Sequence, residues 1–461
     1  MKTSRINSSF RDPSGYVFSF EGNIYRKINC RYKENYEKLM QTGLYNRLVK
    51  EDLLISHEEI SLNNIAPDDN CFKIIKPLKI DFISYPYEWA FSQLKDAALT
   101  TLKIQKIALA YDMTLKDCSA YNIQFHRGKP LFIDTLSFED YTEGRPWVAY
   151  KQFCQHFLSP LSLMALQDIS FGKLLRLYID GIPVHIASKL LPLRSLLSIS
   201  LLIHIHMHAR TQKKYEDNED YNFQSNGHGI SKKGLLTLVS SLESVIGNLK
   251  LKKIKTEWGD YYNGTNYNDI SFDHKKEIVK KYLSKINPSM VWDLGANTGV
   301  FSKIALDMNI PTIAFDIDPV AVEKGYKTNR NKEVDNLFLL MDLTNPSPSI
   351  GWNCNERMSF IERGPVDTLM ALALIHHLVI SNNVPFDMVA KFFSEICTHL
   401  IVEFIPKDDS MVAKLLKTRE DIFENFTEEQ FESDFCQFFK LLEKSKIKDS
   451  KRILYRFKKI N

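Results

Sequence analysis

The 461-residue sequence is short of several things, and each shortage excludes a class of protein. Its seven cysteines include no Cys-x-x-Cys pair, so neither a disulfide framework nor a zinc site is indicated and reduced thiols are expected. No apolar run is long enough to span a bilayer: the most apolar window, residues 190–205, is interrupted by Pro192, Arg194 and His204. The first residues are polar and basic, without the apolar core of a signal peptide, which leads to the expectation of a cytoplasmic protein with no membrane partner. Net charge is only +4 and no basic stripe with interleaved aromatics occurs, so nothing points to nucleic acid. At 44% hydrophobic and 25% charged the composition is that of an ordinary globular protein, with length for two or three domains.

What is present centres on residues 290–319. Residues 291–294 form a short apolar run that ends in a Gly-x-x-x-Gly turn, Gly295 to Gly299, before residues with helical spacing. A second apolar run, 312–315, ends in Asp316. A carboxylate at the tip of a second strand can accept both hydroxyls of a ribose, as in nucleotide-binding α/β folds. The turn is not the dinucleotide Gly-x-Gly-x-x-Gly, and Asp293 would repel a pyrophosphate. A ligand with an amino group and no phosphate suits it, and S-adenosylmethionine meets both conditions.

This stretch resembles class I S-adenosylmethionine-dependent methyltransferases, whose first motif is Asp-x-Gly-x-x-x-Gly, and the resemblance covers about the last 200 residues. It implies a Rossmann-like α/β sheet and a cofactor site built from Asp293, Gly295, Asn297, Gly299, Asp316 and Ile317, with Asp342, after a third apolar run (336–341), bonding the adenine amino group. After a fourth run (366–374) stand His376 and His377, and a fifth (399–405) contains Glu403; these three are the candidates to take a proton from the acceptor. A closing antiparallel pair is expected over 435–443 and 452–457, and Tyr261, Tyr262 and Tyr267 are candidates either for a lid over the cofactor or for an aromatic plug that packs the domain interface. No Asn/Asp-Pro-Pro-Tyr motif follows the fourth run, which weakens a reading as nucleic-acid adenine or glutamine methylation. The paired histidines resemble the equivalent segment of small-molecule methyltransferases, so the resemblance implies a small-molecule acceptor as partner.

The first half reads differently. Residues 15–28 alternate around Glu21-Gly22-Asn23 as a β-hairpin, 32–48 have helical spacing, 72–77 and 80–84 read as strands, 85–89 as a hinge, and 92–111 as a long helix. Asp117, Asn122 five residues on, and Asp134 at the end of the next β run then follow. That order resembles the protein-kinase-like fold, in which one carboxylate orients an acceptor hydroxyl while an amide and a second carboxylate hold magnesium against nucleotide phosphates. By the resemblance, Lys27 or Arg26 takes the place of the strand lysine, Glu34 or Glu37 that of its helix partner, and ATP-Mg is a possible ligand. Leu115 stands where kinases usually carry histidine, and Thr135-Leu136 follow Asp134 in place of Phe-Gly. Phosphotransfer and a purely supporting role both remain open at this point. His204, His206 and His208 alternate, and only the first and last share a helix face, so core or surface histidines are expected rather than a metal site.

The sequence thus predicts an α+β kinase-like domain over 1–210, a linker and spacer helix over 211–254, and a class I methyltransferase domain over 255–461. Taken whole, this layout resembles bacterial two-part methyltransferases of the NoeA type. The alternatives are a bifunctional kinase-like and methyltransferase enzyme, or a binding protein whose two nucleotide-type folds are both degenerate.

Overall fold

The computed structural model describes residues 4–61, 70–211, 229–252, 256, 269–330, 332, 334–417 and 420–460. The chain folds as two compact units: Met1–Lys253 together with Ile350–Arg357, and Ile254–Ser349 together with Met358–Asn461. Among the described residues no helix is long and apolar enough to cross a membrane. All seven cysteines are free thiols.

The second unit is built on a seven-stranded sheet. Its strands are β10 (Val291–Leu294), β11 (Thr312–Asp316), β12 (Asn336–Leu340), β13 (Val366–Ala371), β14 (Cys397–Phe404), β15 (Phe439–Lys446) and β16 (Ile453–Lys459), in the order β12-β11-β10-β13-β14-β16-β15. The first five are parallel, with Val291 opposite both Thr312 and Thr368. β16 and β15 run antiparallel at the edge. This is the Rossmann-like α/β sheet expected, with the closing reversed pair. That pair starts later than expected, because residues 428–435 form a helix, Glu428–Phe435, before β15.

Strand alternation sorts the residues of the parallel strands onto two faces. On one, Val291, Met370 and Ile401 pack with Ile278, Val279, Tyr282 and Leu283 of the helix Asp269–Ile286 and with Phe301 and Ala305 beside the helix Ser302–Asp307. On the other, Trp292 meets Phe315 and Phe360 with ring centroids 5.5 and 5.0 Å apart. The helix Pro319–Asn329 starts where expected: proline occupies its first turn, and Asp318 caps it by accepting from the amides of Val320 (2.8 Å) and Ala321 (3.3 Å).

The first unit carries an antiparallel sheet of β1 (Ser4–Arg5), β2 (Gly15–Phe20), β3 (Asn23–Asn29), β5 (Cys71–Pro77) and β4 (His57–Ile60), in the order β1-β2-β3-β5-β4. The stretch expected as one helix over 32–48 is two, Lys33–Gln41 and Leu44–Lys50, broken at Gly43, whose φ of 81° ends the first helix. No strand forms at 80–84, and residues 86–88 make a single tight turn held by the Glu88 carboxylate on the Tyr85 amide. The helix Phe91–Ala110 is buried along most of its length. The helix Lys232–Asn248 packs on it and belongs to this unit, with Lys95 Nζ bonding the carbonyls of Gly247 (2.7 Å) and Leu249 (2.8 Å). Short pairs β6 (Met113–Leu115) with β9 (Phe138–Asp140), and β7 (Ile123–His126) with β8 (Lys129–Phe132), follow the long helix.

Candidate functional site

The parallel strands of the second unit end at one edge, and a cavity of about 430 Å³ opens there. Its wall takes Asp293, Gly295 and Asn297 from β10 and its turn, and Asp316 and Ile317 from the tip of β11. Asp342 and Thr344 come from beyond β12, and Leu372 to Leu374 and His377 from beyond β13. Open α/β sheets bind ligands at this edge because the loops there are free to diverge.

Asp316 is held rather than mobile. Its carboxylate accepts the amides of Asn297 (2.7 Å) and Asp318 (2.8 Å), and burial pushes its pKa up to about 6 against those bonds. The Ile317 amide also bonds the carboxylate, and because a carboxylate has about four acceptor positions, capacity is left for ligand hydroxyls. Asn297 makes its contact from a left-handed backbone, φ 52°, which asparagine tolerates better than most residues. Asp293 is almost fully buried. It accepts the Ser302 hydroxyl at 2.6 Å, and burial raises its pKa to about 7 against that bond and the charge of Lys275. Asp342 accepts from both the amide and the hydroxyl of Thr344 (2.9 and 2.6 Å), which fixes it at the rim.

The two glycines of the motif separate. Gly295 (φ 72°) lines the cavity, and a Cβ there would sit 3.2 Å from Leu374 Cδ1. Gly299, expected at the cofactor, does not line it: with φ 83°, its missing side chain makes room for Phe338, whose Cζ a Cβ would approach to 2.6 Å. Its role is to bring the turn close to β12.

The three proton-acceptor candidates also part company. His377 lines the cavity, and burial lowers its pKa to about 4, so its imidazole is neutral near pH 7. His376 lies behind it, rings 4.0 Å apart, with its own pKa pushed well down by burial and its Nδ1 without a hydrogen bond among the described residues. Glu403 is fully buried and does not reach the cavity. Its Oε2 accepts from Lys275 Nζ (2.6 Å) and the Ala373 amide (2.7 Å), and Oε1 faces Arg452 Nη1 at 3.8 Å. Arg452 in turn grips Asp409 at 2.8 and 3.1 Å. A carboxylate so engaged has its oxygens turned to protein donors and none to the cavity.

Lys275 is the residue that sequence reasoning passed over. It lines the cavity with its ammonium 4.5 Å from the Phe301 ring, on the same face of its helix as Ser271, Ile278, Val279 and Tyr282. A lysine on the buried stripe of an amphipathic helix was the available signal. The lid candidates Tyr261, Tyr262 and Tyr267 lie outside the described residues.

In the first unit the structure does bring Asp117, Asn122 and Asp134 together. Asp117 Oδ1 accepts from the Ser119 amide (2.9 Å) and Gln152 Nε2 (2.8 Å), and the carboxylate also bonds the Asn122 side chain. Burial raises the pKa of Asp117, and the charge of Asp134 raises it further. Asn122 Nδ2 donates to Ser137 Oγ at 3.2 Å. Lys27 is buried with its ammonium 5.4 Å from the Tyr16 ring, Glu34 is exposed, and Glu37 faces Lys33 at 4.0 Å. Of the alternating histidines, His204 and His206 are satisfied side chains, and His208 stacks on the Tyr150 ring with centroids 4.9 Å apart. His204 bonds Tyr150 and Ser241 (2.8 and 2.9 Å), and His206 bonds Ser188 and Ser195 (2.8 Å each). Among the described residues no group of three His, Cys, Asp or Glu side chains is placed to hold a metal ion.

No protein-family model matches the chain. Its fold is similar over 42% of its length to the N-methyltransferase NodS from Bradyrhizobium japonicum WM9, covering 99% of that chain at 11% identity and a TM-score of 0.32. It is also similar over 43% of its length to the bifunctional kinase-methyltransferase WbdD, covering 42% of that chain at 17% identity and a TM-score of 0.29. In sequence it is 35% identical over 466 aligned positions to the nodulation protein NoeA of Rhizobium meliloti (strain 1021), spanning 99% of this chain and 97% of that protein. Identity at that level along nearly the whole of both chains makes this protein a member of the NoeA family.

Proposed function

We propose that the protein is an S-adenosylmethionine-dependent methyltransferase whose donor site is the cavity of the second unit and whose acceptor is a small molecule. The observation that carries this reading is the pairing, in one cavity, of the anchored Asp316 carboxylate with the buried Asp293 and Lys275. Asp316 offers acceptors for two ribose hydroxyls. Asp293 and Lys275 present opposite charges to the ammonium and carboxylate of an amino-acid group, and Gly295 leaves the floor open between them. The bound donor supplies a sulfonium methyl for in-line transfer to a nucleophile.

The chain's own contribution is position and proton acceptance. Glu403 fixes the Ala373 amide, and with it a left-handed residue (φ 51°) in the cavity wall. His377 is the neutral acceptor facing the cavity. A pKa near 4 makes it a weak base, yet an oxygen or nitrogen gaining a methyl becomes strongly acidic, so a weak base suffices at that moment. His377→Ala should therefore lower kcat about a hundredfold with little change in donor affinity. The reading is tested by melting the full-length chain with S-adenosylmethionine: a donor that binds the folded state raises Tm by mass action, by about 2.7 kcal/mol of stability at a hundred times its Kd. An unchanged Tm at millimolar donor refutes it.

A further inference from the structure

The resemblance of the first unit to kinase-like cores implies a magnesium ion between Asp134 and Asn122, and the side chains there can be tested against that ion. Magnesium asks for a near-octahedral set of oxygens at about 2.0–2.1 Å and keeps several of its waters. The Asp134 carboxylate is already spoken for. Its Oδ1 accepts the Leu136 amide at 2.9 Å and meets Arg26 Nη1 at 2.6 Å, while Oδ2 accepts the Ser137 hydroxyl at 2.7 Å. Arg26 comes from β3 and also reaches Asp12 Oδ2 at 3.4 Å, so its guanidinium lies between two carboxylates. The Asn122 amide donates to the same Ser137 hydroxyl, and Asp117 is engaged by Gln152 and the Ser119 amide. The residues do not fit a divalent ion: the oxygens are turned onto protein donors, and a fixed positive charge stands beside them.

We propose that Arg26 is the resident cation of this cleft, in the position where a nucleotide-metal site would hold its divalent ion, and that the first unit carries out no metal-dependent phosphoryl transfer. The sequence has an arginine and a lysine side by side on β3, and either could face the acids. Alternation along the strand turns them to opposite faces, and Arg26 is the one that meets Asp134. Arginine suits the position because its planar fork bonds two carboxylates at once and stays charged at any working pH. The carboxylates then serve the cleft as structural joints between the sheet and the turn after β8. The proposal does not depend on the methyl-donor reading, since every residue it uses lies in the first unit.

Manganese is a spectroscopically visible probe for a magnesium site, and its binding to the full-length chain can be counted by electron paramagnetic resonance. The wild type and Asp134→Asn should bind the same amount of manganese up to millimolar concentration. Arg26→Gln, checked for native circular dichroism, should gain an ion that the double variant Arg26→Gln/Asp134→Asn loses again. A manganese ion present on the wild type and lost in Asp134→Asn overturns the proposal. A folded Arg26→Gln that gains no ion overturns it as well, because the arginine would then not be what keeps a metal out. Should Arg26→Gln fail to fold, the wild type against Asp134→Asn decides alone: equal binding upholds the proposal and loss of an ion overturns it.

Discussion

Both units set aspartates where strands end, and the two sets have opposite fates. In the second unit Asp316 is held by backbone amides alone and turns the rest of its carboxylate to an open cavity. In the first, Asp134 is closed off by an amide, a hydroxyl and a guanidinium. The residue type is the same and the burial similar, so neither identifies a ligand site. What separates them is whether acceptor capacity is left over and whether there is space for a ligand to use it.

The largest way to disturb this contrast lies beneath the cavity. Glu403→Ala leaves Lys275 and Arg452 buried with one anionic partner fewer, and breaking a buried pair in this way costs about 3–5 kcal/mol. Urea unfolding should show that loss, with Glu403→Gln recovering part of it. A loss under about 1 kcal/mol would mean that the ions are solvated and the cavity wall is not fixed by them.

Next comes Asp316→Ala. Removing hydrogen bonds to a charged acceptor costs about 1.5–3 kcal/mol, or roughly ten- to a hundredfold in affinity for S-adenosylhomocysteine measured by calorimetry. The matching change in the first unit, Asp134→Ala, should leave that affinity alone and lower stability, which sharpens the distinction between an open and a closed carboxylate.

The glycines divide in the same way. Gly299→Ala forces a Cβ against Phe338 at a φ of 83° and should destabilise by about 1–3 kcal/mol. Because that methyl points away from the cavity, the protein that remains folded should bind S-adenosylhomocysteine as the wild type does. Gly295→Ala strains a similar backbone but also narrows the cavity towards Leu374, so its affinity should fall as well. Equal binding by the two variants would remove the distinction between them.

Much of the second unit could be read from the chain. The turn of Asp293, Gly295 and Asp316 needs particular residues at fixed spacing, and strands β10 to β12 run where the apolar residues indicated. The fourth apolar run extends to 374 but the strand ends at Ala371, because Ala373 is apolar yet left-handed. What the sequence could not show were contacts made across it. Lys275 meets Glu403 over a separation of 128 residues, and Arg26 meets Asp134 over more than a hundred. In those two pairings a candidate base is engaged by a buried lysine and a candidate metal ligand is half of an ion pair. The motif alone points Gly299 at the ligand because it does not distinguish a glycine that faces a ligand from one that faces a phenyl ring.

The smallest expected effect is a pH dependence. Asp293 titrates near 7 in the folded protein, and its ionised form is the one that attracts an ammonium. Donor affinity should therefore fall by at most about tenfold on going from about pH 8 to about pH 6, and Asp293→Asn should flatten the profile. Stability has the opposite sign. A carboxyl whose folded pKa is raised is favoured in its protonated form, so its contribution is present below the unfolded value and is lost as pH rises towards 7. Against wild type, Asp293→Asn should gain stability over that window in the absence of donor. No relative gain would mean that Asp293 is ionised throughout and that its burial is offset by Lys275.

The central claim is that the cavity at the end of the parallel strands holds the methyl donor, and difference density from crystals of the full-length chain grown with S-adenosylhomocysteine tests it most directly. The account predicts the ribose hydroxyls on the Asp316 carboxylate, the amino-acid group between Asp293 and Lys275, and His377 facing the sulfur. An empty cavity at a ligand concentration that stabilises the protein, or density in the first unit instead, would contradict it.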